Sequence, residues 1–470
     1  MEPNRPLIHF TPPMNWMNDP NGLVYYDGEY HLFYQHNPYG KDWGHMSWGH
    51  AVSADLLRWK HLPIAIMEEP RLGYTIFSGS AVVDWHDTSG FGRGGRPPMV
   101  AVYTADHQPN AALEDIHIAS SLDRGRTFAK YPHNPVLDAH NPKFGDPKVF
   151  WHAPTGRWIL AAIHGVDQGW VDFYGSPDLK SWEWLSQFRA PDAAPGIWEC
   201  PDLFPVPAEP EVPGAPDRWV LKVNSVTPDR GPVITRYFVG EFDGRRFDAD
   251  PTAAQQVNPD VDHIYAEATY NDIPASDGRR ILIGWVRQTS RDDRAWTGMQ
   301  SIPRELSLRR IDGALRLCQA PIAELAGLRT RHVELNAMPV SGSAPILERL
   351  ELGQGAWDIL ADLEPAGAGE CGLRFHLPRH AVADAGYSAA TAELFVEQTG
   401  KPRLSLPYFA GGDQIRLRVI LDRGIVEVFG GAGQATITAA VDPETACIGV
   451  DAFARDGVAR IDHIDLWKLL

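Results

Sequence analysis

Three acidic residues stand in short polar motifs, each running into an apolar segment: Asp19 in Asn18-Asp19-Pro20-Asn21-Gly22, Asp146 in Asp146-Pro147-Lys148, and Glu199 in Glu199-Cys200-Pro201-Asp202. Cleaving a glycosidic bond through an oxocarbenium-like transition state needs a carboxylate on one face of the sugar and a proton donor at the leaving oxygen. Asp19 and Glu199 suit that pair. A short Asp held by a turn makes a fixed nucleophile, and a Glu between Trp198 and Cys200 is expected to be desolvated and so kept protonated. Taken singly, Asp-Pro and Asn-Gly are ordinary turn formers. Trp16, Trp43 and Phe77 read either as core aromatics or as a wall for stacking a sugar, and Trp48 reads as core.

Such distant residues meet only if a repeated element delivers them. Ser78-Gly79-Ser80 and Tyr265-Ala266-Glu267 extend the series, and the steps from Asp19 to Ser78, Asp146, Glu199 and Glu267 are 59, 68, 53 and 68 residues. A second series, Ser53-Ala54-Asp55, Ser121-Leu122-Asp123 and Ser176-Pro177-Asp178, runs out of phase and leads to Trp59, Phe128 and Trp182. Units of this length suit four-stranded propeller blades, with the polar motifs opening the innermost strands at one end of a channel. The 43 Gly and 39 Pro punctuate short apolar runs, which is an all-β pattern. A short helical turn is expected only near Ala320 to Leu328. Beyond it, alternation such as Ile415-Arg416-Leu417-Arg418-Val419, then the Asp422-Arg423-Gly424 turn, predicts a β-sandwich. The expected fold is therefore a five-bladed β-propeller over residues 1–325 followed by a β-sandwich over 326–470.

The 470 residues are 44% hydrophobic and 22% charged, a globular balance. With 43 Lys plus Arg against 60 Asp plus Glu the net charge is −17, which disfavours nucleic acid. Apolar stretches such as Ile159 to Ile163 and Ile281 to Val286 fall far short of the ~20 residues of a membrane span, so no membrane partner is expected. The four cysteines are widely spaced and no His cluster shows metal spacing, so neither a disulfide framework nor a metal site is expected. The opening residues carry no basic and apolar leader, so the chain as written reads as cytoplasmic; secretion would need a leader upstream.

Trp16-Met17-Asn18-Asp19-Pro20-Asn21-Gly22, Phe33-Tyr34-Gln35, Phe77-Ser78-Gly79-Ser80, Trp198-Glu199-Cys200-Pro201-Asp202 and Ile302-Pro303-Arg304-Glu305-Leu306 together resemble glycoside hydrolase family 32, which holds invertases, inulinases and levanases. The resemblance runs from about His9 to the C-terminus. It implies the same propeller and sandwich, retaining chemistry, no cofactor, and a fructoside substrate, small or polymeric. It makes Asp19 the nucleophile and Glu199 the acid/base, while Asp146 holds fructose hydroxyls. Asn18, Gln35, Trp43, Phe77 and Ser78 resemble fructose-pocket positions, with Tyr265 and Trp285 around the same pocket. The expected activity is release of terminal β-fructosyl units from levan, inulin or sucrose.

Three positions depart from the family pattern. Gly145 stands where Arg usually precedes the middle Asp, removing a cationic fork that Arg287 or Arg291 would have to replace. His263 stands where Asp is usual, with Asp262 before it, and the segment from Trp285 to Trp296 lacks a second early Trp. Because a retaining site hands its glycosyl group to whichever acceptor it positions, fructosyl transfer, including closure to a difructose anhydride, is the second reading. A non-catalytic fructoside-binding protein is the third.

Overall fold

The computed structural model describes residues 5–107, 113–141, 143–165, 169–190, 196–209, 212, 216–226, 233–250, 256–258, 264–287, 293–347, 355–377, 381–441 and 447–470. It is a five-bladed β-propeller followed by a β-sandwich. Each blade is an antiparallel sheet whose innermost strand comes first: Asn15–Tyr26, Thr75–Val83, Phe144–His152, Ile197–Pro207 and Ile264–Thr269. The Ser-x-Asp series closes the turn between third and fourth strands in three blades. Asp55, Asp123 and Asp178 each accept from backbone N–H groups downstream and from the serine hydroxyl two residues before.

The polar motifs do not precede the inner strands as turns. They lie within them, and each carries a β-bulge. Asn18 and Asp19 together face Gln35, and Phe77 and Ser78 face Thr104. Asp146 and Pro147 face Ala162, Cys200 and Pro201 face Val223, and Ala266 and Glu267 face Gly284. A bulge sets two residues against one and re-aims a side chain. It also tolerates proline, which cannot donate to the ladder, and this is why Asp146-Pro147 and Cys200-Pro201 sit inside strands. Asp146, Cys200 and Ala266 take left-handed φ values of 51°, 49° and 52°. Non-glycine residues hold such angles at about 1–3 kcal/mol each, and only where the surrounding sheet over-determines them.

The ring closes between the first and last blades. Asn15 and Trp16 pair in parallel with Trp296 and Thr297, and Asn271 exchanges backbone hydrogen bonds with Leu23 and Tyr25. Beneath the bulges the channel is plugged by buried ion pairs, Lys148 with Asp202 at 3.1 Å and Lys222 with Glu267 at 3.4 Å.

The C-terminal strands form one continuous ladder folded into two layers over a single apolar core. The long strand Gly449–Leu469 pairs with Glu370–His376 through its first half and with Ala356–Glu364 through its second, which joins the layers. The expected helical turn is a 3₁₀ segment, Ala323–Leu328. Propeller and sandwich share an apolar cluster that includes Ile8, Phe10, Leu325, Ile420, Phe429 and Leu469. At Gly433, with φ of +90°, an added Cβ would lie 1.9 Å from the Gln319 carbonyl oxygen, so only glycine allows this turn to reach the last blade.

A polar lock crosses the same boundary. The buried His9 ring lies 3.0 Å from both Asp422 and Glu427, and Glu427 also accepts from Arg304 at 2.7 Å and from the Ile302 N–H at 3.0 Å. Burial alone would push His9 down, but its bonds to the two carboxylates outweigh this and raise it to about 9. A raised folded-state value contributes stability that is complete below His9's ordinary 6.5 and is lost as the pH rises through about 9. Denaturant unfolding is therefore expected to show a loss of stability between neutral and alkaline pH, much reduced in His9→Ala. That variant should itself be about 3–5 kcal/mol less stable, because two buried carboxylates lose a partner.

Candidate active site

One cavity of about 430 Å³ opens at the end of the channel where the inner strands begin, and Asn18, Asp19, Gln35, Trp43, Phe77, Ser78, Asp146, Glu199, Tyr265 and Trp285 all line it. All ten residues singled out in the sequence thus meet at one place. His263, Asp262 and Arg291 lie outside the described residues. Lys143, Arg287, Ile197, Val226 and Val233 complete the wall.

Asp19 is held from both sides. The Ser78 hydroxyl donates to its Oδ2 at 2.6 Å and the Asn18 amide to its Oδ1 at 3.1 Å, while Asn18 is itself fixed by the Trp16 indole N–H at 2.7 Å. Burial raises Asp19 to about 6, with the charges of Asp146 and Glu199 adding to the rise and the Ser78 bond opposing it. Asp146 is likewise raised, chiefly by burial, although Lys143 and the Cys200 N–H at 2.9 Å favour its charge. Cys200 Sγ stands 3.8 Å from Asp19 and 3.7 Å from Asp146, bridging the two carboxylates. Burial pushes this thiol well above its ordinary range, so it stays neutral and donates.

Glu199 receives the Tyr265 hydroxyl on Oε2 and faces Lys143 Nζ at 3.4 Å from Oε1. The tyrosine is raised well above its usual value, first by burial and then by Glu199, so it too remains a donor. The apolar surroundings expected for Glu199 are only half present. Strand alternation sends the adjacent Trp198 to the opposite face, where it is buried against Phe188 and Phe238. The Glu199 side chain itself is 28% exposed and opens on the cavity.

Trp43 is 57% exposed at the rim, edge-on to Phe77 at 6.0 Å, whereas Trp48 is fully buried with its indole N–H on the Phe77 carbonyl. The geometry favours a stacking surface for Trp43 and core for Trp48. Gln35 Nε2 and Trp285 Nε1 are donors that no group among the described residues takes up. Glu267 turns away from the cavity into its ion pair with Lys222.

A cation stands two residues before Gly145. Lys143 stands within ion-pair range of both Glu199 and Glu114, the latter at 3.7 Å, and its ammonium is held charged by Glu199, Glu114 and Asp146 against the cost of burial. Glu114 is raised to about 7 by burial and accepts the Phe144 N–H at 3.0 Å. Neither residue was singled out in the sequence; Lys143 in the Lys143-Phe144-Gly145-Asp146 run was the available signal. A Cβ on Gly145 would meet Thr104 Oγ1 at 2.7 Å, the atom that accepts the Asp146 N–H. Thr104 therefore packs where a side chain at position 145 would begin.

Comparison with known proteins agrees with this geometry. The Glycosyl hydrolases family 32 N-terminal domain matches residues 9–321 and the Glycosyl hydrolases family 32 C terminal domain matches residues 324–468. A levanase of Bacillus subtilis is 38% identical over 498 residues, spanning 100% of this chain and 71% of that protein. The extracellular exo-inulinase inuE of Aspergillus niger is 32% identical, spanning 100% of this chain and 95% of its own. Among solved structures, the exo-inulinase of Aspergillus awamori superposes with a TM-score of 0.89 at 29% identity, covering 100% of this chain and 98% of that one. A β-fructofuranosidase of Schwanniomyces occidentalis, solved with fructosyl-erythritol, gives 0.87 at 25% identity over 100% and 98% of the two chains. Propeller, sandwich and acidic cavity thus belong together, and the chain is a glycoside hydrolase of family 32.

Proposed function

We propose that this enzyme releases terminal β-fructosyl units from levan, inulin or sucrose by double displacement. The observation that carries the reading is the meeting of Asp19, Asp146 and Glu199 in one cavity, with Cys200 Sγ within hydrogen-bonding range of both aspartates and Glu199 on the more open side. The similarity to proteins named levanase and exo-inulinase supports the substrate class.

In the first step the Asp19 carboxylate attacks the anomeric carbon while protonated Glu199 gives its proton to the leaving oxygen, so a fructosyl ester forms as the glycosidic bond breaks. The charge left on Glu199 develops beside the Lys143 ammonium, an interaction stronger in the transition state than before it. In the second step Glu199 takes a proton from water, which attacks the ester and frees Asp19. In this reading Asp146, Gln35, Ser78 and the indole of Trp285 hold fructose hydroxyls, and Trp43 stacks on the next unit.

Asp19→Ala and Glu199→Ala should each lose orders of magnitude in kcat with the fold intact by circular dichroism, the acid alone accounting for ~10²–10⁴. Free fructose should be the main product from levan, inulin or sucrose; cyclic difructose or lengthened oligosaccharides would indicate transfer instead. Lys143→Met should lower kcat by about 10²–10³ with a smaller change in KM, as expected for a group that acts on developing charge. Because Asp19 must be ionised to attack, kcat/KM should rise with pH through about 6 and fall away below it.

A further inference from the structure

On the second blade, away from the catalytic carboxylates, two histidines and an aspartate converge. Asp115 and His117 lie two residues apart on the strand Glu114–Ser121 and so project to the same face. His107 follows the end of the neighbouring strand Met99–Asp106, whose Ala105 is paired with Asp115 and Tyr103 with His117. This brings His107 Nε2 to 3.0 Å from Asp115 Oδ2, and His117 Nε2 to 2.9 Å from Asp115 Oδ1. The donor atoms of all three residues lie within 4.8 Å of one another.

The His117 contact is the informative one. Its ring is buried, 5% exposed, yet among the described residues neither ring nitrogen has a well-aligned hydrogen-bond partner, and Asp115 Oδ1 has none either. The two atoms are close enough to bond, but the ring N–H does not aim at the oxygen. Buried polar atoms are almost always satisfied, so atoms that approach without bonding leave a place for a third group between them. Tyr74, whose ring lies 5.0 Å from His117 and 5.6 Å from His107, and Tyr103 at 5.8 Å from His117 wall the cluster with aromatic faces. Lys130 near Tyr74 is already paired with Glu69 at 2.8 Å.

From this geometry we infer that His107, Asp115 and His117 bind a divalent transition-metal ion, with zinc the best fit. Two imidazoles and one carboxylate are a donor set for zinc and its neighbours rather than for magnesium or calcium, which prefer all-oxygen shells. Three protein ligands leave a position for water. The ion would clamp the end of the hairpin whose other face carries Glu114, the partner of Lys143, and so would brace one wall of the substrate cavity without joining the chemistry. The site is hard to see along the sequence because one ligand precedes a loop and two follow it, and only strand pairing unites them.

Chelator-stripped full-length protein titrated with Zn²⁺ by calorimetry should take up one ion, and Co²⁺ in its place should give visible d–d bands of a four- or five-coordinate site. His117→Ala and the more exposed His107→Ala, each checked for fold by circular dichroism, should weaken binding at least about 100-fold and abolish those bands. Zn²⁺ should raise the Tm of the unmodified protein but not of the variants. Absence of binding to the unmodified protein, or binding that His107→Ala leaves unchanged, would overturn the assignment and reduce the cluster to an Asp bridging two histidines.

Discussion

The burial of several carboxylates side by side, costly through lost solvation and made worse by their mutual repulsion, is the constraint around which this structure is arranged. Asp19, Asp146 and Glu199 share one cavity of about 430 Å³ with Glu114 just behind, and each charge disfavours the next. The surroundings answer with donors: Ser78 and Asn18 on Asp19, the Cys200 N–H and thiol on Asp146, the Tyr265 hydroxyl on Glu199, and the single ammonium of Lys143 among the acids. Asp19, Asp146 and Glu114 nevertheless stay raised, chiefly by burial, with neighbouring carboxylates adding to the rise. In the double displacement proposed above, the loss of Asp19's buried charge on ester formation would favour that step.

A cluster under such strain needs a scaffold that does not yield. The five bulges occupy equivalent places around the ring, and those at Asp146, Cys200 and Ala266 hold left-handed backbone that isolated strands would relax. They are over-determined by ladders on the outer side, by the Lys148–Asp202 and Lys222–Glu267 pairs beneath, and by the parallel closure of Asn15 and Trp16 on Trp296 and Thr297. The sandwich extends that rigidity through the buried His9, Asp422, Glu427 and Arg304 network, which ties the segment before the first inner strand to the last blade.

Much of this was legible in the sequence, because a repeated polar motif at blade-length intervals is a consequence of the repeated bulge. Repetition located the inner strands, and chemistry picked out Asp19 and Glu199. What could not be read was local geometry. Asp-Pro has the composition of a turn, and only the ladder shows that proline is accommodated by a bulge. Trp198 adjoins Glu199 in sequence yet faces away, since neighbours on a strand alternate. A cation in place of the family's arginine was sought at Arg287 or Arg291; Arg287 does line the cavity, and Lys143, just before the third inner strand, stands beside Glu199 and Glu114 without having been singled out. The His107, Asp115 and His117 cluster was missed because spacing rules follow one strand and this group spans two.

The most direct test of the central claim is to follow turnover of fructosyl fluoride, whose leaving group needs no acid, by rapid acid quench and peptide mass spectrometry, using a Glu199→Gln variant to slow hydrolysis of the ester. Double displacement predicts one hexosyl unit attached to the peptide containing Asp19, appearing with the first equivalent of leaving group. Leaving-group release with that peptide unmodified, or with the sugar carried by another carboxylate, would contradict it.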